Sequence, residues 1–243
     1  MGRKNLELIK SDEQVALDQP SNLSLSLSLS NLINLQILKS PDNNKLLSMK
    51  GNAISGHLSD GINNYTIQDG SPVLYPKLVS DAWEKNHSLT LKNYNEPLLQ
   101  YVLLSQLKQS GEINAPFDSV PARKHQWRYK EFCSDLKGLV LDIGSDRPSH
   151  SMQFLPKHCK YIGLDPYAGK GEFRLIGLGE ILPIIDEAVH AVTFNTSLDH
   201  ILDYHTAISE AHRVLKPSGK VIIASYAWVE KAALELKGCS VYG

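Results

Sequence analysis

From Gly138 onward the chain repeats one pattern: a short apolar run, a helix-length stretch, then another apolar run. Leu139-Val-Leu-Asp-Ile143 and Tyr161-Ile-Gly-Leu164 read as buried strands, with Phe173-Arg-Leu-Ile176 a weaker third. Ala191-Val-Thr-Phe-Asn195 is a fourth and Lys220-Val-Ile-Ile-Ala-Ser225 a fifth. Between these two, Tyr204 to Leu215 sets Ile208, Ala211, Val214 and Leu215 on one helical face and stops at Lys216-Pro-Ser-Gly219. Strands joined by helical crossovers pair in parallel, so the pattern predicts an α/β fold with a mainly parallel sheet between helical layers.

Ligands of such sheets sit beyond the carboxyl ends of the strands, near the point where strand order reverses. The residues after each apolar run are therefore the ones to read. The first run leads into Asp142-Ile-Gly144-Ser145-Asp146-Arg147-Pro148, where a glycine lets the backbone approach a ligand. Asp165-Pro166 follows the second, about twenty residues later, and a carboxylate there can accept both hydroxyls of a ribose. Gly177-Leu-Gly179-Glu180-Ile181 follows the third and Asn195-Thr196-Ser-Leu-Asp199-His200 the fourth. Singly, each is more often structural than functional; in this order they form a constellation.

The segments LVLDIGSD, YIGLDP, GLGEILPI, FNTSLDH and EAHRVLKPSGKVII resemble the class I S-adenosylmethionine-dependent methyltransferases of the small-molecule type. That family's pattern is VLDIGxGxG, YIGLDP, GxGExLPF, FNxxLDH and ExxRVLKPGGxVII. The resemblance covers about the last hundred residues and implies a Rossmann-like three-layer sandwich binding S-adenosyl-L-methionine. It implies that Asp142, Gly144 and Ser145 line the methionine moiety and that Asp165, with Pro166, holds the ribose. Gly179, Glu180 and Ile181 would surround the adenine, and Asn195 and Thr196 would face the sulfonium. Asp146 and Pro148 depart from the glycines of the family loop, adding a like charge near the cofactor carboxylate and removing an amide donor. The family also continues past the fifth strand with a helix and a hairpin. Only Tyr226 to Gly243 remain here, so either the chain is cut short or another segment, with the Leu/Ser arm near the amino terminus as candidate, completes the sheet.

Methyl transfer from a sulfonium needs alignment and sometimes removal of a proton. His200, with Asp199 to orient it, is the first candidate base and His205 the second; against this stands a reading of His200 as a helix-packing residue. His150, His158, His190 and His212 read as surface or helix positions, and Tyr167 and Trp127 as aromatic walls or core.

The first half divides into an arm (1–31), a turn-rich unit (32–76) and a helical connector (77–137), leaving 138–243 for the α/β domain. The arm ends in Asn22-Leu-Ser-Leu-Ser-Leu-Ser-Leu-Ser30, whose period of two suits a strand and whose composition is equally that of a low-complexity stretch. The unit runs from Ile37-Leu-Lys-Ser-Pro-Asp-Asn-Asn-Lys to Tyr65-Thr-Ile-Gln-Asp-Gly-Ser-Pro-Val-Leu-Tyr-Pro76. It resembles a small zinc-ribbon-like module, with Ser40 and Asn43, and Ser55 as a third, standing at cysteine positions. Without thiolates no tetrahedral zinc site forms, so no metal is expected. Leu98, Leu99, Val102, Leu103 and Leu107 recur at helical spacing in the connector.

Three widely spaced cysteines, a net charge of -1 and no run of membrane-span length describe a reduced, cytoplasmic protein. They argue against nucleic-acid and membrane partners; a small-molecule methyl acceptor is the expected partner. An exposed last strand makes a homo-oligomer an expectation too. The leading function is transfer of a methyl group to an O, N or C atom. A catalytically inactive methyltransferase-like scaffold is the alternative, and a nucleotide-binding oxidoreductase, lacking GxGxxG, stands third.

Overall fold

A computed structural model describes residues 26–77, 79–81, 126–145, 148–166 and 172–225. The expectations for Leu98 to Leu107, Asp146, Arg147, Tyr167, the start of the arm and the tail after Ser225 lie outside these residues, as does the side chain of Trp127.

The Leu/Ser tract is not a continuous strand. Ser26 forms a single parallel bridge with Tyr161, and Leu27 N donates to the Tyr161 carbonyl (3.2 Å). The chain then turns into helix α1 (Leu29–Asn34). Ser28 caps it: its hydroxyl accepts from Asn31 N (3.2 Å), and the Asn31 side chain accepts from Ser28 N (3.1 Å). That reciprocal box satisfies amides that a strand would have left to a partner.

Four short strands follow, β1 (Ser48–Lys50), β2 (His57–Ser59), β3 (Asn64–Gln68) and β4 (Ser71–Pro72), paired antiparallel in that order. Strand β3 alternates, with Tyr65 and Ile67 facing the core. Asp69 (φ 49°) and Gly70 (φ 80°) both take the left-handed region, as a two-residue hairpin between right-twisted strands requires.

A knot of polar side chains holds this unit. The Tyr65 hydroxyl donates to Asp42 Oδ2 (2.6 Å) and, having one proton, accepts from Ser40 Oγ (2.7 Å). Asn43 Nδ2 donates to Asp60 Oδ2 (2.9 Å), whose other oxygen accepts from the amides of Ile62 and Asn63 (2.7 Å each). Thus Ser40 and Asn43 do converge, but with Asp60; Ser55 instead bonds Asn52 in an exposed turn. Burial opposes ionisation of Asp60, but the amides of Asn63 and Ile62 and the Asn63 side chain outweigh it and hold the carboxyl well below the usual range. A depressed folded value means stability that is complete above the unfolded value of about 3.9 and lost as the pH falls toward the folded one. Thermal unfolding below about pH 4 should therefore fall more steeply for wild type than for Asp60→Asn; parallel curves would remove Asp60 from the account.

Helix α2 (Gln126–Cys133) leads into the second sheet: β5 (Leu139–Ile143), helix α3 (Pro148–Met152), β6 (Lys160–Asp165), β7 (Leu175–Ile176), β8 (Val189–Asn195), helix α4 (Tyr204–Val214) and β9 (Leu215–Ala224). All five strands are parallel, in the order β7-β6-β5-β8-β9. The buried stripe of α4 is Ala207, Ala211 and Val214, whereas Ile208 is 37% exposed. The helix is rotated from the expected face because two alanines allow closer packing on the sheet than isoleucine would.

The first unit is joined to the sheet by backbone pairing. Val73 bridges Ile176 in parallel and Leu74 N donates to the Ile176 carbonyl (2.7 Å); Leu38 bridges Ile184. Leu32, Leu38, Leu58 and Leu74 share one core with Leu141, Ile162, Leu164 and Leu175. On the opposite face Tyr129, Cys133, Val140, Tyr161 and Ala191 form a second cluster. The described amino-terminal residues thus supplement the sheet at β6 and β7. On β9, Val221 and Ile223 are 39% and 45% exposed. No described helix is long and apolar enough to cross a membrane.

Candidate functional site

Strand order reverses between β5 and β8: the chain steps outward through β6 and β7, then returns to β8 and β9 on the other side. A crevice for a ligand forms beyond the strand ends at such a reversal. Gly144 follows β5 there and lies against Ser197, two residues past the end of β8.

Gly144 has φ 78°, and its amide donates to the Leu164 carbonyl (2.8 Å). A Cβ on it would come within 2.3 Å of the Ser197 Cβ, so no larger residue fits this backbone. Ser197 Oγ donates to the Ile143 carbonyl (2.5 Å). Thr196, between Ser197 and Asn195, has φ 57° and gives its amide to the Ala224 carbonyl (2.7 Å). A β-branched residue in the left-handed region is strained, which here aims the Asn195–Ser197 bend back across β5.

Ser145 is 2% exposed and lies over Gly163, and its hydroxyl is without a hydrogen-bond partner. Asp165 closes β6, one strand over, and is 4% exposed. The Pro166 carbonyl accepts from the Tyr75 hydroxyl, so the first unit reaches the strand end that carries Asp165.

Asp142 faces the second core cluster. Its oxygens accept from Thr193 Oγ1 (2.7 Å) and the Tyr161 hydroxyl (2.9 Å). Burial raises its carboxyl above the ordinary range, against these hydrogen bonds and one from Ser151.

Beyond β7, Ile181 N closes a turn onto the Leu178 carbonyl (3.2 Å). Gly179 packs between Ile143 and Ile201. Glu180 accepts from the amide of Asp203 (3.3 Å); burial raises it, while the backbone donors at Leu202 and Asp203 pull it down. Asp199 and His200 occupy a 3-10 turn (Leu198–His200), with Nε2 and Oδ2 4.0 Å apart and both side chains exposed. That separation is too long for a hydrogen bond. His205 stacks on Tyr204, centroids 4.1 Å apart, in the exposed first turn of α4.

Gly144, Ser145, Asp165, Asn195 and Thr196 therefore stand at the ends of three adjacent strands, with Gly179 to Ile181 beyond the fourth. Asp142 lies below them in the sheet. Ser197 and Tyr75 were not anticipated: Ser197 lies inside the FNTSLDH run, but its packing on Gly144 exists only after folding. No group of His, Cys, Asp and Glu able to hold a metal occurs among the described residues. Elsewhere, a cleft of about 680 Å³ runs between Lys39, Asn44, Asp186 and Arg213. It offers no free guanidinium N–H. Arg213 gives all five to Glu210 (twice, 2.6 Å), Asp186 (2.7 Å) and the carbonyls of Ile184 (2.7 Å) and Leu182 (3.1 Å).

Residues 141–223, roughly a third of the chain, match the family model described as a methyltransferase domain. By that match the stretch is similar to methyltransferase domains, a family whose methyl donor is S-adenosylmethionine. Among solved structures, the chain is similar to a candidate methyltransferase from Bacillus halodurans C-125 (23% identity, 46% of this chain and 55% of that one, TM-score 0.38). It is also similar to the YcgJ protein of Bacillus subtilis (21%, 45% and 53%, 0.37) and to PH0226 of Pyrococcus horikoshii OT3 (19%, 65% and 66%, 0.37). The matched part spans about half the length of the first two. No curated protein matches the chain.

Proposed function

We propose that the chain binds S-adenosylmethionine across the β5/β8 reversal and transfers its methyl group to an O, N or C atom of a small-molecule acceptor. One observation carries this reading. A glycine in the left-handed region and a buried carboxylate end adjacent strands beside the reversal, as a nucleoside ligand of such a sheet requires. The unpartnered, buried Ser145 hydroxyl fits a ligand group arriving at the same loop.

In this reading Asp165 accepts the ribose hydroxyls, and Gly144 and Ser145 receive the methionine end. Gly179 to Ile181 border the adenine, and Asn195 and Thr196 lie against the sulfonium. Asp142 acts from beneath, fixing the strand through Thr193 and Tyr161. The bound cofactor supplies an activated methyl group, so the protein's task is alignment. In the same reading His200, on an exposed turn, takes the proton of the methyl acceptor, with Asp199 beside it to orient the ring. The non-catalytic scaffold is favoured by one feature, the open 4.0 Å separation of that pair.

Titration calorimetry of the full chain with S-adenosylmethionine and S-adenosylhomocysteine is the test. Binding in the micromolar range, about 8 kcal/mol, is expected. No heat and no thermal shift with either ligand would reject the reading and leave the scaffold.

A further inference from the structure

We infer that Ser197 is the positioning residue of the cofactor site, locking the glycine loop of β5 to the bend after β8. The inference rests on the cofactor reading above and goes beyond it in naming the group that sets the loop's geometry. Three observations converge on this side chain. Its hydroxyl donates to the Ile143 carbonyl at 2.5 Å, directly before Gly144. Its Cβ occupies the volume that a side chain at position 144 would need. Its own backbone is delivered there by the left-handed turn at Thr196, which is tied to β9 through the Ala224 carbonyl.

Ser197 is buried (8% exposed), so this bond competes little with water. A carbonyl at a strand end beside a ligand crevice otherwise turns toward solvent or ligand. Capping it fixes the peptide that joins Ile143 to Gly144, and with it the direction of the following amides. The same contact explains why glycine stands at 144: the site accepts the Ser197 side chain from above and leaves no room for a second one. The Ser197 hydroxyl is spent on the Ile143 carbonyl, so it acts through the loop.

The test uses the full chain with S-adenosylhomocysteine as probe. Affinity is read by calorimetry well below the unfolding temperature, and the melting temperature is read separately. Ser197→Ala should bind about tenfold more weakly than wild type, and Ser197→Cys, a larger side chain and a weaker donor, should fall between them. Gly144→Ala should lose measurable binding, and Ser197→Gly in the same chain should restore part of it by removing the clash. A purely structural role would lower the melting temperature and leave affinity unchanged; that result, or an unranked series, overturns the inference while the cofactor reading stands. If wild type itself binds neither cofactor nor product, the functional reading fails and this inference falls with it.

Discussion

Asp165→Ala is expected to reduce affinity for S-adenosylmethionine and S-adenosylhomocysteine by about a hundredfold or more, with little change in fold. Each hydrogen bond from a ligand hydroxyl to an ionised, buried carboxylate contributes about 1.5–3 kcal/mol, and a ribose offers two. Asp165 is 4% exposed at the last position of β6, so a ligand there meets a carboxylate already shielded from bulk water. Strand pairing at this point uses the backbone, Gly177 N donating to the Asp165 carbonyl at 3.0 Å, and survives loss of the side chain. Calorimetry checks the affinity, and circular dichroism the fold. An unchanged dissociation constant in a folded variant would move the nucleoside away from β6.

Arg213→Ala should be the costliest single change outside the apolar core, at about 3 kcal/mol or a melting shift of roughly 10 °C. The guanidinium joins α4 to the segment between β7 and β8 through the Leu182 and Ile184 carbonyls, and it clamps Glu210 with two bonds. Its removal strands two carbonyls and leaves Glu210, which also accepts from Leu182 N at 2.8 Å, without its cation. The side chain is 22% exposed, which keeps the expectation at the lower end of the range for buried pairs. Arg213→Lys should recover little, because one ammonium cannot reach partners spread around a planar fork. A loss below about 1 kcal/mol would mean that water replaces these bonds readily.

The parallel sheet was legible because its strands are continuous apolar runs, and strands buried on both faces read that way. Asp165 and Asn195 could be placed because strand ends are where such runs stop. The Leu/Ser tract misled because its last residues satisfy two patterns at once. Leu29 closes the alternating series and also stands three residues from Leu32, as in a helix, and the Ser28–Asn31 box decides between the two. Ile208 and Ala207 are neighbours, so a small rotation of α4 exchanges which is buried, and the sheet's preference for small residues is invisible in a helical period. Asp60 displaced Ser55 in the polar knot because the turn bringing it beside Asn43 is set by hairpin pairing. Ser197 had no signal of its own: its partners, Ile143 and Gly144, lie more than fifty residues earlier.

The bridge from Val73 to Ile176 has a bearing on solubility as well as on shape. Strand β7 has only two residues, and its outer side would otherwise present unpaired amides and carbonyls beside an apolar core. The amino-terminal unit blocks that side as a guard strand, and it is too short to recruit another chain in turn. Severed from it, the parallel-sheet domain is expected to associate with its own copies. By covering that edge, the unit helps to keep the domain dispersed.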